Sequence, residues 1–325
     1  MGVLINGQWR DAELPQETGK SGEFARAESQ FRDTITADGS SGFKAEAGRY
    51  HLYVAHACPW AHRVMIYRAV KKLESAITIA CAIPGLKENG WTYEQRVDFP
   101  ECTPDTVNGF HYLYEAYTAT QSDYTGKVTV PTLWDTRTKR VVNNESSEII
   151  RMLNSEFAGI AGDDTDYYPS ALRNEIDAVN ETIYRGVNNG VYRCGFAKSQ
   201  EAYEAAYDLL FATLDELEAR LARQRYLVGN QITEADWRLL PTLVRFDLAY
   251  FSLFKCNRQR LADFPNLSAY MRDLYQVPGV AGTIVPRHYV INYWTIAKLN
   301  PTRIVPKGTP VDYTSRQDRA RLAAE

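Results

Sequence analysis

Tyr50-His51-Leu52-Tyr53-Val54-Ala55-His56-Ala57-Cys58-Pro59-Trp60-Ala61-His62-Arg63 is the stretch on which the fold turns. Residues 50–55 are rich in strand formers, and the run stops at a cysteine followed by proline, a residue favoured in the first turn of a helix. The helix this predicts, Pro59 to Lys72, sets Ala61, Val64, Met65, Arg68 and Ala69 at helical spacing, and Ala76 to Ile83 follows as a buried strand. Strand, helix and strand together make one βαβ unit.

Downstream, Pro84 to Tyr124 is a long aromatic-rich stretch that exceeds ordinary loop length and reads as functional. Val128 to Trp134 and Arg140 to Val142 then predict two short strands about a turn, and Glu145 to Leu153 a helix. The order βαβ then ββα implies a small mixed sheet. After Asp163 strand signals vanish: segments near 170–187, 199–223, 234–250 and 266–275 carry apolar residues at three- and four-residue spacing, and Thr233-Glu234-Ala235-Asp236 reads as a helix-starting capping box. Upstream, residues 1–45 show little periodicity. The expected organisation is an extension over 1–45, an α/β thioredoxin-like domain over 46–160, an all-α domain over 161–280, and an irregular proline-bearing tail over 281–325 that covers the active site.

Cys58 carries the chemistry. A cysteine just N-terminal to a helix meets unsatisfied backbone N–H groups and the positive end of the helix dipole, which favour thiolate over thiol. Ala61 stands where a dithiol enzyme keeps its second cysteine. A lone thiol cannot resolve its own mixed disulfide, so a small external thiol such as glutathione must supply the second sulfur. Val130-Pro131 interrupts a strand, as a proline at an edge or in a cis bond does, and such a proline can leave the preceding backbone to pair with a peptide-like ligand. Asn144-Glu145-Ser146-Ser147-Glu148, at a helix start, offers N–H and hydroxyl groups to a carboxylate and Glu145 to an ammonium. The γ-glutamyl end of glutathione has both charges.

These motifs resemble the glutathionyl-hydroquinone reductases, the Xi class of glutathione transferases, and the resemblance extends through Val187 to Ala197, Arg245 to Tyr250 and Phe254 to Asn257. It implies the glutathione transferase fold, a homodimer joined through the helical half, and glutathione-dependent removal of glutathione from glutathionyl-hydroquinones. By the same resemblance Cys58 is the nucleophile, and Trp91, Lys127, Val128, Thr129, Val130, Glu145 and Ser146 are the glutathione-binding positions. Tyr192 is the proton donor to the departing aromatic carbon, with Tyr250 and Tyr289 beside the thiolate. One departure stands out: the spacer between Arg287-His288-Tyr289 and Asn300-Pro301 is longer and more apolar than in the family, so Tyr293 is an alternative to Tyr289. Two other readings compete: an Omega-like thiol transferase or dehydroascorbate reductase, which shares Cys58 without needing the tyrosines, and a non-catalytic transferase-like interaction module.

Composition bounds the partners. The chain of 325 residues is 45% hydrophobic and 24% charged with a net charge of −3, which gives no electrostatic reason to expect nucleic acid or an anionic membrane. No apolar run approaches the roughly 18 residues of a membrane span, and the first thirty residues hold no signal-peptide core, so a cytoplasmic location is expected. The five cysteines, Cys58, Cys81, Cys102, Cys194 and Cys256, are scattered and form no C-x-x-C pair, so neither a disulfide framework nor a metal is expected. The 21 tyrosines exceed what a core needs, which raises the question whether some of them line a pocket.

Overall fold

The computed structural model describes residues 2–10, 19, 21–85, 88–308 and 310–323. They form two units, one from Met1–Glu17 and Arg26–Thr165, the other from Thr18–Ala25 and Asp166–Glu325. The described part of the segment 1–45, expected as an extension lying over the surface, is shared between the two units.

In the first unit two strands lie within that segment, β1 (Val3–Ile5) and β2 (Gln8–Arg10), joined by a tight turn at Asn6-Gly7, both with positive φ. Positive φ at both central residues is what a two-residue hairpin turn requires, and Asn-Gly supplies it at low cost. The main sheet contains β3 (Tyr50–Val54), β4 (Ile77–Cys81), β6 (Thr132–Asp135) and β7 (Arg140–Asn143), in the order β4-β3-β6-β7. Strand β3 runs parallel to β4 and antiparallel to β6, as a βαβ unit followed by a ββα unit demands. All five β3 residues are buried, which explains why the strand reads as continuously apolar and aromatic rather than alternating. The short strand β5 (Gly126–Lys127) pairs with β1 and so ties the start of the chain to this unit.

Helix α1 (Pro59–Val70) crosses between β3 and β4, and α3 (Ser146–Ser155) packs against it through a face that buries Ile149, Ile150, Met152 and Leu153. At the end of the two central strands Arg49 donates to both carboxylate oxygens of the fully buried Asp135, at 2.9 and 2.8 Å.

Residues 88–124 are tied down by hydrogen bonds, and they contain a helix the pattern did not reveal, α2 (Leu113–Thr120). Asp105 organises them. Its carboxylate accepts the N–H groups of Val107, Asn108 and Phe110 at 2.9, 3.1 and 3.1 Å and the hydroxyl of Tyr53, in β3, at 2.8 Å. His51 lies 3.7 Å from the same carboxylate; burial nevertheless depresses its pKa to about 4, so the ring is neutral.

The second unit is helical: α4 (Arg173–Ile183), α5 (Gly190–Phe196), α6 (Gln200–Leu221), α7 (Glu234–Leu243), α8 (Pro265–Tyr275) and α9 (Pro286–Trp294). Helix α7 starts at the capping box, with Thr233 donating to Asp236 and Tyr270 donating to the same carboxylate. Two wide turns with i→i+5 hydrogen bonding interrupt the helices, at Tyr184–Asn188 before α5 and Phe246–Tyr250 after α7. Such turns gather at functional sites because they re-aim the side chains that follow. The expected irregular tail is corrected at residues 286–294: Pro286 opens α9, whose His288, Tyr289, Asn292 and Tyr293 are buried on one face. The flanking prolines and the lack of acidic residues hid a helix whose buried side is phenolic and polar.

Candidate functional site

In the first unit Cys58 stands at the N-cap of α1, with extended backbone angles and Pro59 in the first turn. Of the five cysteines, all among the described residues, it is the one that is not fully buried. Its Sγ donates to the carbonyl of Val130 at 3.3 Å, and the Val130–Pro131 bond is cis. The thiol therefore sits at the helix end that favours negative charge, against the strand entry that the sequence paired with it.

Glu145 is the N-cap of α3. One of its carboxylate oxygens accepts the N–H and hydroxyl of Ser147 at 3.0 and 2.8 Å, and the other accepts the hydroxyl of Ser29 at 3.1 Å. Ser146 begins the helix and is buried. Beside them Asn144 donates to the Tyr117 hydroxyl at 3.0 Å, and that phenol both accepts from the Thr129 N–H at 3.1 Å and donates to the Thr129 carbonyl at 3.0 Å. The backbone of Thr129 is thus engaged inside the unit, and Tyr117 is the brace that shapes the 127–130 segment. Lys127 is half-buried in β5, its pKa lowered to about 8 by desolvation, and Val128 and Val130 are buried. Trp91 is half-buried, and its carbonyl accepts from Leu113 at the head of α2 at 3.0 Å.

Two features beside Cys58 escaped the sequence reading. Trp60 lies between two guanidinium groups, Arg63 at 4.5 Å and Arg26 at 4.7 Å from its ring centroid, a cation–π stack that fixes the first turn of α1. The segment around Ser29 and Phe31 runs beside β7, with Phe31 N–H to Asn144 Oδ1 at 3.1 Å and Asn144 N–H to the Phe31 carbonyl at 3.0 Å. Only the isolated aromatics of that segment hinted at its docking.

In the second unit three phenols meet. The hydroxyl of Tyr293, in α9, is 2.6 Å from that of Tyr192, in α5, and 2.9 Å from that of Tyr250, at the end of the wide turn after α7. The Tyr192 and Tyr250 rings lie 6.0 Å apart between centroids. Tyr250 and Tyr293 are buried and Tyr192 half-buried, so Tyr192 is the member of the cluster with solvent access. Phe196 and Phe254 pack on Tyr192 at 6.3 and 5.5 Å between ring centroids, and Phe24 stacks on it at 6.4 Å. Burial pushes the pKa values of Tyr250 and Tyr293 well above the ordinary phenol value, which keeps both protonated as donors.

Tyr289 lies elsewhere on α9. Its hydroxyl accepts the Val285 N–H at 3.2 Å and its ring lies against the Arg245 guanidinium. Of the two α9 tyrosines weighed from sequence, Tyr293 joins the hydroxyl cluster. The helical spacing of residues 289 and 293 puts both on one face but one turn apart, a distinction that a segment read as irregular could not supply.

The "Glutathione S-transferase, N-terminal domain" model matches residues 57–156, and the "Glutathione S-transferase, C-terminal domain" model residues 200–273. The chain is 50% identical to "Glutathionyl-hydroquinone reductase PcpF" of Sphingobium chlorophenolicum over 309 residues, covering 95% of this chain and 96% of that protein. The chain belongs to the glutathionyl-hydroquinone reductases, the Xi class of glutathione transferases. Among solved structures, the "Xi Class GST from Natrialba magadii" superposes with a TM-score of 0.92 at 41% identity, covering 100% of this chain and 98% of that one. The glutathione-bound structure of YqjG from Escherichia coli K-12 superposes with a TM-score of 0.89 at 44% identity, covering 98% and 99%. The thioredoxin-like sheet and the helical unit are the glutathione transferase fold. Among the described residues no helix is long and apolar enough to cross a membrane, and no group of three or more His, Cys, Asp or Glu could hold a metal ion.

Proposed function

We propose that the chain is a glutathionyl-hydroquinone reductase that uses glutathione as co-substrate. The Cys58 thiolate attacks the sulfur of a glutathionyl-hydroquinone; the aromatic carbon–sulfur bond breaks, and its electron pair leaves with the ring carbon, which takes a proton from Tyr192. Hydroquinone departs and Cys58 is left as a mixed disulfide with glutathione. A second glutathione thiolate attacks the glutathionyl sulfur, freeing Cys58 and leaving as oxidised glutathione. The ring carbon is thereby reduced and two glutathione sulfurs are oxidised to one disulfide.

Glutathione is held, in this reading, by the Trp91 stretch, Lys127 to Val130, and Glu145 with Ser146. Family membership supports the assignment. So does the polar bracing of Glu145 at a helix N-terminus, where a carboxylate is favoured. The relatives' names carry the hydroquinone, and the enzyme is expected to work in the cytoplasm as a homodimer joined through its helical unit.

The observation that carries the aromatic reading, over an Omega-like thiol transferase or an inert module, is the Tyr192–Tyr293–Tyr250 hydroxyl cluster. A phenol can give a proton to a carbanion-like ring without bringing a positive charge into an apolar pocket, and its neighbours can hydrogen-bond the phenolate that results. The test is Tyr192→Phe assayed on two substrates. Reduction of a glutathionyl-hydroquinone should fall by about 100-fold or more, while exchange with the mixed disulfide of glutathione and 2-mercaptoethanol continues. Undiminished reduction would remove Tyr192 from the mechanism.

A further inference from the structure

Arg245 is fully buried in the second unit, at the junction of α7 and the wide turn that ends in Tyr250. A guanidinium stays charged at any ordinary pH, so its position commits a permanent cation to the interior. One of its N–H groups donates to the carbonyl of Pro241 at 2.7 Å, and its guanidinium carbon lies 3.8 Å from the centroid of the Tyr289 ring. That distance is face-on contact, and it links the end of α7 to α9, the helix that also carries Tyr293.

Four phenols are among the ionisable groups close enough to Arg245 to interact with its charge: Tyr289, Tyr250, Tyr293 and Tyr192. Tyr313, in the C-terminal segment, feels its charge too. Asp247, two residues along, has its carboxylate turned to the N–H groups of Leu261 and Ala262 at 2.6 and 3.2 Å. The cation therefore acts on a cluster that Tyr192 alone opens toward solvent among its three hydroxyls.

We propose that Arg245 is a positioning residue for proton donation: stacked on Tyr289 it sets the height of α9, and its charge stabilises the phenolate formed when Tyr192 gives up its proton. After donation the negative charge on the Tyr192 oxygen is hydrogen-bonded by Tyr293, itself bonded to Tyr250, and is drawn by a fixed positive charge in a low-dielectric interior. Tyr192 recovers its proton from water. No atom of Arg245 enters the reaction. Burial raises the pKa values of Tyr250, Tyr293 and Tyr289, and Arg245 lowers each of them, so its effect has the sign that proton donation needs.

This inference rests on the proposed reduction, and its test separates the two. Arg245→Met keeps bulk without charge; Arg245→Lys keeps charge without the planar stack. Each is compared with the unsubstituted protein in glutathionyl-hydroquinone reduction, in mixed-disulfide exchange, and in the alkaline titration of tyrosinate absorbance. The methionine variant is expected to lose about 100-fold in reduction with exchange unchanged, and its alkaline tyrosinate titration is expected to move up. The lysine variant is expected to keep most of the reduction. A methionine variant that folds but shows the same ratio of the two activities and an unmoved titration would overturn the proposal. Should that variant fail to fold, the lysine variant decides: a ratio kept within about tenfold upholds the role of charge, and a ratio that falls about 100-fold refutes it. An unsubstituted protein that cannot reduce the glutathionyl-hydroquinone overturns the reaction itself, and the titration still reports on Arg245.

Discussion

Tyr293→Phe isolates the hydroxyl that joins Tyr192 to Tyr250. The substitution removes one oxygen from a site where the side chain is 3% exposed, with partners at 2.6 and 2.9 Å. Tyr192, half-buried, can replace the lost partner with water, whereas the buried Tyr250 hydroxyl loses Tyr293, so the stability loss is expected to be about 1–2 kcal/mol. The functional loss should be larger in proportion. Without Tyr293 the phenolate on Tyr192 loses one hydrogen bond to a neutral donor, and kcat/KM for a glutathionyl-hydroquinone should fall about 10- to 100-fold, equivalent to about 1.4–2.7 kcal/mol of transition-state stabilisation. The control is Tyr289→Phe. Its hydroxyl accepts the Val285 N–H at 3.2 Å, outside the Tyr192–Tyr293–Tyr250 cluster, so deglutathionylation should change less than about threefold while thermal stability drops modestly. Steady-state kinetics with release of free hydroquinone as the readout compares the two. If Tyr293→Phe retains full activity and Tyr289→Phe loses it, the assignment of the α9 tyrosines is reversed and the hydroxyl cluster is structural.

Three further outcomes follow from single contacts. A Cβ on Gly195 would lie 2.5 Å from the Phe254 ring, which packs on both Tyr192 and Tyr250, so Gly195→Ala should cost about 1–3 kcal/mol in urea unfolding and depress deglutathionylation with it. Arg49→Met leaves Asp135 as a buried carboxylate supported only by its remaining hydrogen bonds from Arg137 N–H and Thr138, and should destabilise the first unit by about 3 kcal/mol, read as a lower Tm. His51 titrates at about 4 in the folded chain against about 6.5 unfolded, so between those values the unfolded chain holds the extra proton. Stability should therefore fall as pH drops through that window, by at most about 1.4 kcal/mol per pH unit, and His51→Gln should flatten the slope seen in urea midpoints at pH 7 and pH 5.

Cys58, Pro131 and Glu145 were legible because their positions depend on local backbone geometry. A cysteine before a proline at a helix start, a proline inside a strand and an acid at an N-cap each constrain the chain within a few residues. The main sheet was legible for the same reason, since β3 is buried on both faces and reads as unbroken strand. What escaped depends on partners far along the chain. Strands β1 and β2 form a hairpin of three residues a side, too short to show a pattern, and β1 joins the first unit through Lys127 and Gly126, more than a hundred residues away. Ser29 and Phe31 matter through Asn144 and Glu145, and Tyr117 through Thr129, none of which a periodic pattern announces. Helix α9 has no acidic first turn and no basic last turn, so its helical spacing was submerged, and with it the choice between Tyr289 and Tyr293. Arg245 sat in a quoted motif without a role, because a buried cation is explained only by the rings around it.

The central claim is that Cys58 forms a mixed disulfide with glutathione during turnover. Mixing the protein with one equivalent of a glutathionyl-hydroquinone, without free glutathione, and measuring the intact mass tests it directly. The expected result is release of free hydroquinone together with one glutathionyl adduct that peptide mapping places on Cys58, removed when glutathione is added and absent in Cys58→Ser. Hydroquinone released without an adduct, or equally fast from Cys58→Ser, would contradict it.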